Sequence, residues 1–483
     1  MQSPQTPRKL PTEAPEDEVG LDVHADARTS RPLEAHGSHR RRIRRPRQAV
    51  ARPVHRPVGT ALRAAIAIVV LGVFAGLVLA GGLAAFQLTS GAAAAVLGVF
   101  GLLSAGHFGA SLWHAFQYRP VPAFRSPKAL PRVTVIVPAF NEGPAVRVAL
   151  ESALAADYPA EKLRVIAIDD GSADDTWTHI EEIARAHRGR VLAIRQPVNR
   201  GKREALRVGF ERADSEIVVT VDSDSRIDRA AIREIVAPLV ADREVAAVAG
   251  RVLVLNRADN LLTRFLSARF FVTFDLARAA QSQFGAVLCT PGALSAYRLR
   301  AVRQVVERWS AQTFFGAPCT IGEDRALTTW LLRAGYRSVY QRTAVVDTLM
   351  PKTLRGIART LVRWERGNVR ENFVMLPVLL TRWRTADRWW PTFDIGLELL
   401  QHPLAYAGLA MAAASLLAHP GALAMLLGCV LFGFVVQALY CLRSERLGDF
   451  FYGVGWAAFA FFGLQWVFPY SLLTVRDGRW LTR

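Results

Sequence analysis

The sequence predicts an α/β domain with a mostly parallel sheet, inserted between transmembrane α-helices. Three observations lead there. First, 51% of the 483 residues are hydrophobic, but they are unevenly spread. No Asp, Glu, Lys or Arg occurs from Ala64 to Tyr118 (55 residues), from Leu399 to Leu442 (44 residues) or from Phe450 to Val475 (26 residues). A bilayer core takes roughly 20 apolar residues per helix, so these gaps hold about two, one or two, and one span. Second, between Pro131 and Val221 short β-branched runs alternate with helical stretches, the pattern of parallel strands joined by right-handed crossovers. Third, the middle of the chain is charged and patterned like a globular domain. A purely soluble enzyme and a bundle made only of membrane helices are both excluded.

Residues 1–59 are rich in Pro, Ser, Arg and acids without apolar periodicity, and read as a disordered tail. Arg40, Arg41, Arg42, Arg44, Arg45 and Arg47 stand just before the first apolar run, where the positive-inside rule makes them a cytoplasmic anchor beside the lipid. The formal net charge of +19 comes from 55 Arg and only 5 Lys against 41 acids. That skew is read as codon composition, and no nucleic-acid partner is expected. Spans at about 62–86 and 92–116 form a hairpin within 60–118 and return the chain to the cytoplasm.

The next region, 125–350, is the expected cytoplasmic α/β domain. Its strands are Arg132 to Pro138, Leu163 to Ile168, Val191 to Ile194 and Glu216 to Val221. Its helices are 144–156, 174–187 and 202–213. Region 351–390 follows. From Thr353 to Phe373, Leu354, Ile357, Leu361 and Trp364 share one face of a helix. Arg355, Arg359, Arg363, Arg366 and Arg370 line another. This reads as an amphipathic helix in the membrane interface with most of its arginines reaching headgroups. Region 391–475 holds three to four spans, near 395–418, 421–442 and 450–475, the last interruptible at Pro469. A short tail, 476–483, ends the chain. Cys289, Cys319, Cys429 and Cys441 have no paired spacing, so neither a disulfide scaffold nor a zinc module is supported.

Polar clusters stand where strands end: Pro138 to Glu142 after the first strand, Asp169-Asp170-Gly171-Ser172 after the second, Asp222-Ser223-Asp224 after the fourth. An isolated Asp-x-Asp is ordinarily a solvated turn. Three clusters in register converge on the crevice where open α/β sheets bind ligands. Asp222 and Asp224 are hard oxygen donors suited to Mg²⁺ or Mn²⁺ with a nucleotide diphosphate. Asp170 is placed to accept from a base or ribose. Lys202 is either a phosphate contact or an exposed residue at a helix start. In Gly322-Glu323-Asp324-Arg325 a carboxylate serves either as a general base or as an acid favoured by the helix dipole. Phosphate-loop, nucleophile-elbow and His-Glu-x-x-His patterns do not occur.

These residues resemble the family-2 glycosyltransferases that are membrane-bound and processive, in the branch of hyaluronan synthases and rhizobial nodulation chitooligosaccharide synthases. The likeness is carried by VIVPAFNE (Val135 to Glu142), DDGS (Asp169 to Ser172) and VDSDS (Val221 to Ser225). It continues through RAAQSQFGAVLCTPGALSAYR (Arg278 to Arg298), GEDRALT (Gly322 to Thr328), VRWERGNVRE (Val362 to Glu371) and the final RWLTR (Arg479 to Arg483). It covers roughly residues 60–483. The resemblance implies a GT-A domain on the cytoplasmic face of the cell membrane, using UDP-sugars with Mg²⁺ or Mn²⁺. Pro138, Asn141, Glu142, Asp170, Lys202, Asp222, Ser223, Arg363 and Trp364 would hold the nucleotide-sugar, and Asp222 and Asp224 the metal. Asp324, beside Glu323, would be the base, and the growing polysaccharide would leave through the bilayer helices.

Two departures keep the product open. Thr360 stands where the family motif has Gln. Gly-Glu-Asp-Arg is the chitooligosaccharide-synthase form, whereas Gln312-Thr313-Phe314 and Asn260 to Arg264 are closer to hyaluronan synthases. The expected function is an inverting, processive β-glycosyltransferase using UDP-N-acetylglucosamine, with UDP-glucuronate in the hyaluronan case and without it in the chitooligosaccharide case. A membrane scaffold with a decayed transferase domain is the rival of another class.

Overall fold

In the computed structural model, residues 91–381, 389–418, 423–444 and 448–478 are described. The basic tail, the span at 62–86 and Arg479 to Arg483 lie outside them. Strand β1 (Val133–Ala139) is buried at every position and lies between two parallel neighbours, β2 (Leu163–Asp169) and β4 (Ile217–Thr220). A strand covered on both faces reads as a continuous apolar run, which is why VTVIVPA shows no alternation. Strand β3 (Val191–Arg195) extends the sheet beyond β2, also in parallel.

The other half of the sheet uses strands that the sequence pattern did not single out: β5 (Ser225–Ile227), β6 (Val245–Val254), β7 (Ser295–Arg298) and β10 (Arg337–Thr348). The order is β3-β2-β1-β4-β7-β6-β10-β5. Strand β7 runs antiparallel to both β4 and β6, and β5 antiparallel to β10, so the sheet is mostly but not wholly parallel. A separate hairpin pairs β8 (Thr313–Phe314) with β9 (Ala317–Pro318).

Register places the chemistry. Val133 pairs with Leu163 and Ala139 with Asp169, so β1 and β2 stop level and deliver their polar clusters side by side. Odd-numbered residues of β1 pack against helices Val146–Leu154 and Ala231–Ala241, while Ile136 packs with Ile166 and Ile168 against helix Lys202–Arg212. Each such aliphatic side chain contributes about 1.5–3 kcal/mol on burial. Gly209 lets that last helix lie close: a Cβ there would stand 2.5 Å from Ile136 Cγ2. The helix is thereby pressed onto the sheet with Lys202, its first residue, at the strand ends.

Helix Leu354–Thr381 corrects one expectation. Arg355 and Arg359 are exposed, but Arg366 and Arg370 are 1% and 2% exposed and face protein rather than headgroups. Arg366 Nε donates to Thr474 Oγ1 at 3.0 Å and its Nη2 is 3.3 Å from Asp477 Oδ2. Arg370 Nη2 donates to the Ile321 carbonyl at 2.7 Å and its Nε to Glu371 Oε1 at 2.8 Å. The apolar face is also incomplete, since Leu354 is exposed while Ile357 and Leu361 are buried. The buried part of the arginine stripe is held by Thr474, Asp477 and the Ile321 carbonyl, brought from distant sequence, which periodicity cannot reveal.

The C-terminal helices are Trp389–Ala418, Leu423–Ala438, Gly448–Gly463 and Val467–Leu473. Among the described residues no single helix is long and apolar enough to cross a membrane. The last two helices, bent by 52°, are so together. The bend falls in the break between them, ahead of Pro469.

Candidate active site

A cavity of about 1220 Å³ opens at the carboxyl ends of the central strands. Pro138, Glu142, Asp170, Lys202, Asp222, Ser223, Asp224, Glu323, Asp324, Arg363 and Trp364 all line it. Asn141 does not. Its backbone is left-handed (φ 52°), and its Oδ1 accepts from the Ala173 amide at 2.9 Å while its own amide donates to Ser172 Oγ at 2.9 Å. Asn141 therefore ties the β1 and β2 loops together.

The strand-end loops are braced by side chains. Glu142 and Gly143 amides both donate to Thr176 Oγ1 at 2.8 Å, and Ser223 Oγ donates to Glu142 Oε1 at 2.8 Å. Asp170 accepts from the Arg200 amide at 2.9 Å and the Gly201 amide at 2.8 Å, one on each oxygen. It shapes the loop ahead of Lys202 and, lining the cavity, keeps further acceptor capacity on its two oxygens. Burial raises its pKa, and those two amide bonds oppose the rise.

At the centre, Lys202 Nζ lies 2.5 Å from Asp222 Oδ1 and 2.9 Å from Glu323 Oε1. The reading of Lys202 as an exposed helix-start residue is thus overturned. Burial works against its charge, but the carboxylates of Asp222 and Glu323 outweigh that and hold its pKa above the ordinary lysine value. Gly292 makes the cluster compact, since a Cβ there would meet Lys202 Nζ at 2.6 Å and Asp222 Oδ1 at 2.9 Å.

Glu323 and Asp324 open helix Glu323–Arg333, so both sequence readings of them meet in one place. Their environments drive them apart. For Glu323 burial raises the pKa, yet Lys202 more than reverses it and the group stays ionised. For Asp324 burial and the Glu323 charge raise the pKa, with Lys202 and two backbone amides opposing. Those amides are Arg325 N at 2.7 Å on Oδ1 and Gly292 N at 3.1 Å on Oδ2. Two adjacent carboxyls are thus driven to opposite proton affinities by their surroundings.

Arg363 comes in from the long helix. Burial lowers its pKa, and the carboxylates of Glu323, Asp324, Asp222 and Asp224 pull it back up. Trp364 stands beside Phe270 and Phe274, ring centroids 6.3 and 6.0 Å away, with the Arg269 guanidinium 5.4 Å from its own centroid. Thr360 lines the cavity on the same helix and donates to the Gly356 carbonyl at 3.0 Å.

Asp222 and Asp224 offer carboxylate oxygens to a cavity wide enough for a diphosphate. No cluster of three or more His, Cys, Asp or Glu suited to a metal occurs among the described residues. Two carboxylates with phosphate and water completing the shell is how Mg²⁺ is commonly held, so the donor set fits Mg²⁺ or Mn²⁺.

Several residues here were not singled out by the sequence: Gly292, Cys289 and the buried Thr290, Tyr297 and Thr328. Cys289 Sγ is 3.9 Å from Asp324 Oδ2, and Thr290 Oγ1 lies 2.8 Å from Tyr297 OH and 2.6 Å from Thr328 Oγ1. Four of them fall in the segment Arg278 to Arg298, which carried part of the resemblance without pointing to individual side chains.

A curled, mostly parallel sheet with acids at its strand ends and a further pair of carboxyls in the same cavity is the arrangement of a GT-A glycosyltransferase. Residues 131–367 match the family described as Glycosyltransferase like family 2. The N-acetylglucosaminyltransferase of Rhizobium meliloti (strain 1021) is 37% identical over 253 residues, 52% of this chain and 59% of that protein. The enzyme of the same name from Azorhizobium caulinodans is 29% identical over 353 residues, 73% and 87% of the two chains. The hyaluronan synthase of Streptococcus pyogenes is 33% identical over 309 residues, 63% and 72%. A solved mannosyltransferase from Pyrobaculum calidifontis, in complex with GDP-Man and Mn²⁺, matches with a TM-score of 0.52 and 25% identity, covering 78% of this chain and 97% of that one. The protein is a glycosyltransferase. It belongs to glycosyltransferase family 2, with the rhizobial N-acetylglucosaminyltransferases and the hyaluronan synthases among its relatives.

Proposed function

We propose that the protein is a processive, inverting β-glycosyltransferase. It polymerises UDP-N-acetylglucosamine, with UDP-glucuronate as second donor if the product is of the hyaluronan type and without it if the product is a chitooligosaccharide, and passes the polysaccharide across the cell membrane from a cytoplasmic active site. The observation that carries this reading is the continuity of one cavity. Its lining takes in Asp222, Asp224, Asp324 and Trp364 together with Gln401, Tyr406 and Gln437 on the C-terminal helices. A cavity of about 1220 Å³ lined by both groups of residues has room for a donor and an elongating acceptor together.

In this mechanism Asp324 removes the proton of the acceptor hydroxyl as its oxygen attacks the anomeric carbon. The bond from that carbon to the diphosphate breaks on the opposite face, and the configuration inverts. Desolvation of Asp324 beside ionised Glu323 raises its basicity for that step. Lys202 and Arg363 carry positive charge toward the departing diphosphate, and the Trp364 ring offers a face for an acceptor sugar. Asp222 and Asp224 would hold Mg²⁺ or Mn²⁺, which supplies neutralisation of charge on the leaving diphosphate.

Incubating membranes with UDP-N-acetylglucosamine, with and without UDP-glucuronate, tests the donors. Polymer that requires both supports the hyaluronan-type reading. Polymer formed equally well without the uronate overturns it in favour of a chitooligosaccharide product. Excess EDTA should abolish transfer, and Mg²⁺ or Mn²⁺ should restore it; turnover persisting in EDTA would remove the metal role of Asp222 and Asp224.

A further inference from the structure

We propose that Lys202 is a resident counter-ion for Asp222, and that it makes the divalent metal and the nucleotide diphosphate bind as a unit. The ammonium excludes a metal ion arriving alone. It releases Asp222 only when phosphate oxygens offer it a new partner. This rests on reading Asp222 and Asp224 as metal ligands.

The geometry is specific. Lys202 Nζ sits 2.5 Å from Asp222 Oδ1, a distance at which that oxygen has no room for a metal ion on the same side. The backbone at Gly292 closes over the pair, because even a methyl there would lie 2.6 Å from Nζ and 2.9 Å from Oδ1. A divalent ion entering alone must displace an ammonium already satisfied by two carboxylates, and would then face it as a like charge. The other contact makes release feasible. Glu323 Oε1 lies 2.9 Å from Nζ, so the ammonium can leave Asp222 and remain tethered. Lysine is a compact charge on a flexible stem with three donors, suited to such a swing. It is also the first residue of helix Lys202–Arg212, whose amino terminus favours phosphate. When a diphosphate arrives, the ammonium gains acceptors and Asp222 gains a free oxygen in one event.

The test is Mn²⁺ titration of the full-length protein in detergent, following the free-ion electron paramagnetic resonance signal with and without UDP. Wild type is expected to bind Mn²⁺ weakly alone and more tightly with UDP. Lys202→Met should bind Mn²⁺ alone at least about tenfold more tightly, a shift of about 1.4 kcal/mol, and gain less from UDP. Lys202→Gln, which can still hydrogen-bond both carboxylates, should behave the same way and guards against misfolding of the first variant. Lys202→Arg, which keeps the charge, should stay like wild type, as should Arg278→Gln, which removes a different cation lining the cavity. Mn²⁺ affinity unchanged in both Lys202→Met and Lys202→Gln, or tightened equally in Arg278→Gln, overturns the proposal. If wild type binds no Mn²⁺ even with UDP, the metal reading itself falls, and this proposal with it.

Discussion

Two regions of the molecule, the strand ends that bear the cavity and the long helix Leu354–Thr381, are built on different principles. At the sheet end, strand register and short loops bring Asp170, Asp222 and Asp224 together, each within a few residues of a strand. At the helical end, buried side chains that lie outside the cavity lining meet because the fold brings distant segments together. Arg366 reaches Asp477, and Arg370 reaches Ile321 while bonding to Glu371 beside Gln312. The sheet end gathers charge for chemistry, and the helical end uses charge to hold two parts of the chain together. Like residue types thus do unlike work according to whether their partners are ligand or protein.

That contrast can be broken most sharply at Asp324. Asp324→Asn should reduce turnover by about 10²–10⁴-fold while UDP binding is retained. Undiminished turnover in that variant would remove Asp324 as the base. At the helical end, Arg370→Met leaves the Glu371 carboxylate, fully buried, without its charge partner. Breaking a buried pair in this way costs about 3–5 kcal/mol, so the thermal midpoint of the detergent-solubilised protein should fall. An unchanged midpoint would show the tie to be dispensable.

Gly209→Ala probes the packing that sets Lys202 against the sheet. Its added methyl meets Ile136 Cγ2 at 2.5 Å, and overpacking of this kind costs about 1–3 kcal/mol, measurable in the same melt. A variant as stable as wild type would mean that the helix can shift freely. The smallest expected effect is a pH shift. Glu323 helps raise the pKa of Asp324, so Glu323→Gln removes a neighbouring negative charge and lets the base stay ionised at lower pH. The acid limb of the activity profile should move down. Movement upward would contradict the electrostatic account.

The half of the sheet around β1 was legible because its signals are local. A run such as VTVIVPA, followed within three residues by Asn141 and Glu142, announces both a strand and what lies beyond it. Strand β7 was not legible: four residues, antiparallel to both neighbours, carry too little periodicity to stand out. Gly292 was missed for a related reason. Its role is defined by a cation 90 residues earlier in the chain, and a glycine between a proline and an alanine looks like an ordinary turn.

By itself the sequence determined the α/β class, the family, and which acids stand at strand ends, since strand period, turn chemistry and motif order are all short-range properties. Tertiary structure alone decided which charges are used for what. It turned Asn141 toward a loop amide, drew Arg366 and Arg370 into protein, and pressed Lys202 between Asp222 and Glu323. The physical reason is that a charge takes its meaning from the dielectric and the partners around it. Both are set by residues that the fold brings near and the chain keeps far apart.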